Sequence, residues 1–409
     1  MTSESSPKTV SVIGAGTMGA GIAQLAATHG WSVFLVDLDR AVLDRARGAV
    51  AKQLERQVET GKITGEQRQT TLERIQTVEA IQAAGNARLA IEAVVEDLSV
   101  KQKVFQSLEA ALGPEAILAT NTSSLSVGRI AEGVRRAERV VGMHFFNPAP
   151  VMPLVEIIAA GQSDASCVAV ARAVAQEWGK VTVLAKDTPG FIVNRVARGF
   201  YLEALRLLGE GVAGVDEIDA GLRTHGGFKM GPFQLMDLVG LDVNLAVSTS
   251  VWEQMNRPTR LQPHPIQQTL VAQGQLGRKT NRGFYVYDEK GSLPAVASER
   301  KTFEISPLLG DAIRTFCERG GMGTAGRTEQ YILARILAAV FNEAAFALAE
   351  NVATAEDIDL AMVKGTNYPK GTLSWAQMIG PRTVRGVLTA LNKTITDNRY
   401  DPAPLFADS

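Results

Sequence analysis

Short apolar runs recur at helix-length intervals through the first part of the chain. Residues 10–13, 33–36, 89–93, 117–120 and 140–145 are each nearly continuous in Val, Ile, Leu, Ala or Phe. Runs this short, apolar on both faces and separated by helical stretches, predict buried parallel strands in a doubly wound α/β sheet. Residues 40–74 interrupt the alternation. They are rich in Arg, Lys, Glu, Gln and Ala and predict a long helical pair inserted after the second strand. After Asp187 the pattern turns helical. Thr188-Pro189-Gly190 reads as a turn, an amphipathic helix starts at Phe191, and Gly and Pro punctuate residues 226–232. Residues 277–287 close this region, and the polar stretch 288–301 reads as a linker. The boundaries expected are 1–187 for a Rossmann-type domain, 188–288 for a first helical domain, 289–309 for a linker and 310–409 for a second helical domain.

That last domain repeats the earlier one. Shifted by 140 positions without gaps, residues 188–240 match 328–380: Ile192 meets Ile332, Arg195 meets Arg335 and Glu203-Ala204 meets Glu343-Ala344. Glu210 meets Glu350, Ile218-Asp219 meets Ile358-Asp359 and Gly231 meets Gly371. Charged and glycine positions match along with apolar ones, which predicts two copies of one unit packed on each other.

Composition narrows the function. The 409 residues suit two or three domains, and 45% apolar with 21% charged residues is ordinary for a globular chain. A net charge of −1 gives no basic field for nucleic acid or an anionic membrane. No stretch reads as a membrane span, and the apolar residues 332–348 are interrupted by Arg335, Asn342 and Glu343. The two cysteines, Cys167 and Cys317, lack metal-ligand spacing and suit a reducing, cytoplasmic setting without structural zinc.

Gly14-Ala15-Gly16-Thr17-Met18-Gly19 follows the first predicted strand and opens a helix. Alone, GxGxxG is weak in a chain with 38 glycines. Here the second strand then ends on Asp37, where a carboxylate accepts from ribose hydroxyls. The glycines allow close approach to a pyrophosphate at a helix N-terminus. The cofactor expected is NAD, since Asp37 repels a 2′-phosphate, although Arg40 nearby is able to accommodate one. The alternative is a tight strand–helix turn with no ligand.

Four further motifs come in order: Asn121-Thr122-Ser123-Ser124-Leu125, Gly142-Met143-His144-Phe145-Phe146-Asn147-Pro148, Val155-Glu156-Ile157-Ile158 and Pro189-Gly190-Phe191-Ile192-Val193-Asn194-Arg195. With them the chain resembles, nearly throughout from Thr9, the 3-hydroxyacyl-CoA dehydrogenase family, including its 3-hydroxybutyryl-CoA dehydrogenases. The residue chemistry agrees. Oxidising an alcohol needs a base near neutral pKa, and His144 at a strand end is the natural one. A carboxylate on the other ring nitrogen fixes the tautomer, and Glu156 is the candidate. The resemblance implies that Ser123 and Asn194 hold the reacting oxygen. It also implies that Glu96, Lys101 and Asn121 lie near the nicotinamide half of the cofactor. Ser123 has a second reading as a helix cap, Asn194 as a backbone partner and Glu156 as a structural residue. The remaining histidines, His29, His225 and His264, have no such setting.

The resemblance further implies an acyl-CoA substrate, bound partly by the helical pair. Arg40, Arg45, Arg47, Lys52 and Arg56 lie there, but Asp39, Asp44 and Glu55 are interleaved, so a solvated charged face reads as well. The second helical copy carries Ala334 where the first has Asn194. It reads as catalytically silent, a substitute within one chain for the partner that single-copy relatives meet across a homodimer. A short substrate such as 3-hydroxybutyryl-CoA is expected, with the dicarboxylic 3-hydroxyadipyl-CoA as the alternative. The latter needs a cation at the far end of the acyl pocket, and the sequence singles out none. Two other classes compete: free-hydroxyacid dehydrogenases, which commonly use a lysine base, and a non-catalytic NAD-binding protein.

Overall fold

The computed structural model describes residues 8–84, 87–289, 291–296 and 300–407. The chain divides into two compact units, Met1–Thr188 and Pro189–Ser409.

The first unit is built on eight strands: β1 (Thr9–Ile13), β2 (Ser32–Val36), β3 (Ile75–Val78), β4 (Leu89–Glu92), β5 (Ile117–Thr120), β6 (Val140–Phe145), β7 (Leu154–Ala159) and β8 (Val181–Lys186). They lie in the order β3-β2-β1-β4-β5-β6-β7-β8. Neighbours are parallel except β6 and β7, which run antiparallel. Every residue of β1, β4, β5 and β6 is buried, as expected of strands covered on both faces. The helices of this unit are α1 (Thr17–Thr28), α2 (Arg40–Glu59), α3 (Gly65–Glu73), α4 (Leu98–Ala111), α5 (Val127–Ala131) and α6 (Ala165–Glu177). Local chemistry sets their starts. Asp39, Asp97 and Asp164 cap α2, α4 and α6, while Thr64 and Gln67 form a capping box on α3. Chain order reverses on either side of β1, so the ends of β1 and β4 flank the crevice where such sheets bind ligands.

The second unit is helical: α7 (Val193–Val196), α8 (Arg198–Gly209), α9 (Val215–Thr224), α10 (Pro232–Val239), α11 (Leu241–Gln254) and α12 (Pro265–Ala272), then α13 (Pro307–Gly320), α14 (Arg327–Ala349), α15 (Ala355–Thr366), α16 (Thr372–Ile379), α17 (Pro381–Thr394) and α18 (Pro404–Ala407). The sequence repeat is a structural one. The 140-residue shift carries α10 onto α16 and α11 onto α17 residue for residue, and Gly240 and Gly380 share φ 101° and ψ 125°. Asp219 accepts from the Phe233 and Gln234 amides, and Asp359 from the Leu373 and Ser374 amides.

The copies meet reciprocally. Arg195 reaches Glu343 at 2.7 Å and Glu350 at 2.6 Å, while Arg335 bonds Glu203 at 2.7 Å and also Glu210. Each pair is the other's image under the shift, the signature of an isologous contact. A Cβ on Gly199 would stand 2.8 Å from the Val340 amide nitrogen, so glycine is required where α8 and α14 cross. By length and apolarity α14 is long enough to span a membrane, but 78% of its apolar window is buried inside the fold. The stretch read as linker is partly a hairpin. Tyr285–Asp288 (β9) pairs with Gly291–Pro294 (β10), whose four residues are all exposed and leave no apolar signature.

Candidate active site

The glycine loop after β1 divides its labour. Gly14 has φ +97°, and a Cβ there would meet the Ala93 carbonyl oxygen at 2.7 Å. A Cβ on Gly19 would sit 1.8 Å from the Gly14 oxygen. At Gly16 nothing lies within 4 Å, leaving room for a phosphate to approach the backbone. No side chain caps α1, so its first-turn amides at Thr17, Met18 and Gly19 have no intrahelical acceptor. Asp37 directly follows β2 and steadies this loop, accepting from the Ala15 amide at 2.8 Å. Leu38 is 88% exposed and Val95 67%, an apolar surface at the strand ends suited to a flat base. These residues fit a dinucleotide.

Beside that loop lies a buried ionic cluster. Glu92, at the end of β4, accepts from Lys101 Nζ at 2.7 Å, Thr120 Oγ1 at 2.8 Å and the Val94 amide at 2.7 Å. Lys101 also reaches Glu96 at 3.2 Å. Glu96 in turn accepts from the Thr122 hydroxyl, the Ser123 amide and the amide and hydroxyl of Ser124. Burial works to raise the Glu96 carboxyl, but Lys101 and these donors outweigh it and hold the group below its ordinary range. The Lys101 ammonium is buried and meets two carboxylates, Glu92 and Glu96, and Glu96 links it to the Ser123 loop. The helix-cap reading of Ser123 is corrected, since Ser126 caps α5. Asn121 accepts from the Phe145 amide at 2.9 Å and so ties this loop to β6.

His144 and Glu156 face each other in register across the antiparallel pair β6–β7. His144 Nδ1 lies 2.6 Å from Glu156 Oε2, with the carboxylate fully buried and the ring 5% exposed. The antiparallel reversal makes this pairing possible, because opposed residues on one face of such a pair lie close. Gly142 allows the close approach: a Cβ there would stand 2.7 Å from Ile158 Cβ. The residues joining the two strands are held by Lys180, whose ammonium donates to the Ala149 and Met152 carbonyls at 2.6 and 2.7 Å. Burial pulls that ammonium down to about 8. Neither Glu92 nor Lys180 stands out in the sequence.

Asn194 lies in α7 of the second unit, where its backbone carbonyl accepts from Arg198 Nε at 2.8 Å. On α2, Leu43, Ala46, Val50 and Leu54 are buried, while Arg40, Arg45, Arg47, Lys52 and Arg56 are exposed. Arg40 pairs with Asp44 at 3.2 Å.

Similarity to known proteins agrees with this arrangement. Residues 9–188 match the family model described as 3-hydroxyacyl-CoA dehydrogenase, NAD binding domain. Residues 190–287 and again 331–408 match that described as its C-terminal domain. A 3-hydroxyadipyl-CoA dehydrogenase of Escherichia coli is 37% identical, covering 98% of this chain and 96% of its own. A solved 3-hydroxybutyryl-CoA dehydrogenase from Escherichia coli superposes with a TM-score of 0.86 at 36% identity, covering 98% of both chains. The (S)-3-hydroxybutyryl-CoA dehydrogenase of Ralstonia eutropha gives 0.67 at 38% identity, covering 69% of this chain and 100% of that one. With a dinucleotide loop, a buried histidine–carboxylate pair and a twice-matched helical domain, the chain belongs to the NAD-dependent 3-hydroxyacyl-CoA dehydrogenase family.

Proposed function

We propose that this enzyme interconverts short-chain 3-hydroxyacyl-CoA and 3-oxoacyl-CoA thioesters, with His144 as the base. The observation that carries the reading is the buried 2.6 Å contact between His144 and Glu156. With Nδ1–H donated to the carboxylate, Nε2 keeps the lone pair that takes the 3-hydroxyl proton, and Glu156 stabilises the imidazolium that results. NAD, when bound, supplies the hydride acceptor. The family resemblance gives Ser123, and separately Asn194, the role of donor to the reacting oxygen. Glu96 holds the backbone that carries Ser123. A lysine base has little support: Lys101 is spent on Glu92 and Glu96, and Lys180 on two carbonyls. The full-length relatives named for 3-hydroxybutyryl-CoA and 3-hydroxyadipyl-CoA favour a short acyl chain.

The test is His144→Gln. Turnover of acetoacetyl-CoA with NADH is expected to fall roughly 10²–10⁴-fold, while NADH affinity by fluorescence stays close to that of the parent. Near-normal turnover removes His144 from the mechanism. Chain length is read from kcat/KM for acetoacetyl-CoA against C8 and C12 3-oxoacyl-CoAs, where a flat or rising series overturns the short-chain reading.

A further inference from the structure

We propose that Arg198 recognises the terminal carboxylate of a dicarboxylic 3-hydroxyacyl-CoA. The proposal rests on the reading that Asn194 meets the oxygen at C3.

Arg198 is 3% exposed. Its guanidinium donates to the Asn194 carbonyl at 2.8 Å, the Ser248 hydroxyl at 2.7 Å and the Asn244 carbonyl at 3.2 Å, and lies 4.9 Å from the Tyr201 ring centre. These partners are all neutral. Arg195, Arg206 and Arg335, also buried in the second unit, each meet at least one carboxylate. Among the described residues, no carboxylate lies within ion-pair distance of Arg198. Burial holds its pKa below the ordinary arginine range with no carboxylate to oppose it, yet a guanidinium remains charged in proteins.

The repeat supplies an internal control. Asn194, Arg198, Asn244 and Ser248 correspond under the 140-residue shift to Ala334, Ala338, Val384 and Leu388. All four are fully buried in the second copy. The same helical frame therefore packs well with apolar groups at these positions, and the polar set is not a demand of the fold. Holding a carbonyl needs only a neutral donor. A buried charge without a counter-ion is costly, and it is accounted for when the ligand brings the anion.

The acyl tail is the part of the substrate placed to do so. Asn194 and Arg198 are four residues apart, one turn along the same side of the chain. In a six-carbon substrate the carboxylate stands three bonds beyond C3. Three bonds of about 1.5 Å span roughly 4 Å, and a charge-assisted hydrogen bond adds about 2.8 Å. That sum, roughly 7 Å, is comparable with the rise of about 6 Å between residues four apart along a helix. On α11, which brings Asn244 and Ser248 to Arg198, Val243 is about half-exposed.

The test compares 3-oxoadipyl-CoA with acetoacetyl-CoA, using NADH, in the parent enzyme and in Arg198→Met and Arg198→Lys. The parent is expected to favour the carboxylated substrate at least tenfold in kcat/KM. Arg198→Met should lower kcat/KM for 3-oxoadipyl-CoA on the order of 10–100-fold more than for acetoacetyl-CoA, chiefly through KM, and Arg198→Lys should restore part of the difference. Equal losses on both substrates, or no preference in the parent, overturn the proposal. Should the variants fold poorly, calorimetric affinities of the parent for adipyl-CoA and hexanoyl-CoA decide: equal affinities overturn it, tighter adipyl-CoA supports it. A parent inert toward both 3-oxo substrates counts against the dehydrogenase reading, while the adipyl-to-hexanoyl affinity ratio still reports on Arg198.

Discussion

Glu92 and Glu156 are both fully buried carboxylates, and each survives there because one cation or imidazole meets it. For Glu92 that group is Lys101, itself 1% exposed. Lys101→Met should strand Glu92 and cost about 3–5 kcal/mol in denaturant unfolding, with much of the loss recovered by adding Glu92→Gln. An unfolding midpoint near that of the parent would show that the pair is worth little. Glu96 gives the Ser123 loop a pH dependence. Its carboxyl is held below 4.5 in the fold, so its contribution is present above that value and lost as pH falls through the lower folded value. Amide exchange at Ser123 and Ser124, corrected for intrinsic rates, should therefore accelerate below about pH 4.5, and Glu96→Gln should abolish the change. At this scale legibility was uneven. Asp37, His144 and Glu156 could be found because a motif or a reaction demands them. Glu92 and Lys180 could not. The partner of Glu92 is a lysine around a turn, and the partners of Lys180 are backbone carbonyls, which carry no residue identity.

Among the elements, the repeat is the clearest case of sequence foretelling geometry. Asp219 and Asp359 recur because each satisfies two amides at the start of a helix that begins with glycine and has no cap of its own. Asp359→Ala should cost about 1–3 kcal/mol by leaving the Leu373 and Ser374 amides without that acceptor. Gly371→Ala should act at the same place, since a Cβ there would stand 2.4 Å from Asp359 Cγ. If both variants melt like the parent, the aspartate is not what fixes α16. The five apolar runs of the sheet were equally legible, because burial on both faces leaves a continuous pattern. The hairpin β9–β10 was not, as its outer strand buries no side chain. Nor does polarity alone reveal Arg198. Its meaning depends on α11, which brings Asn244 and Ser248 to it from far along the chain, and on comparison with the copy that lacks them.

For the molecule as a whole, the reciprocal ion pairs bear on why the helical domain was duplicated. We propose that the second copy stands where single-copy relatives place a second subunit. The first copy carries both halves of the contact, Arg195 together with Glu203 and Glu210, as the second carries Arg335 with Glu343 and Glu350. Removing residues from Gly310 onward takes away both carboxylates that meet Arg195 and uncovers the face of α8 that packs on α14. Two truncated chains could restore the contact by pairing Arg195 of one with Glu203 and Glu210 of the other. The truncated protein is therefore expected to self-associate into dimers in sedimentation equilibrium, where the full chain does so less. Arg195→Met in the truncated form should weaken that association, since it removes the cation from both symmetry-related sets at once. A truncated chain that stays soluble, as stable as the full chain and no more self-associated would mean that the second copy covers nothing the first needs covered.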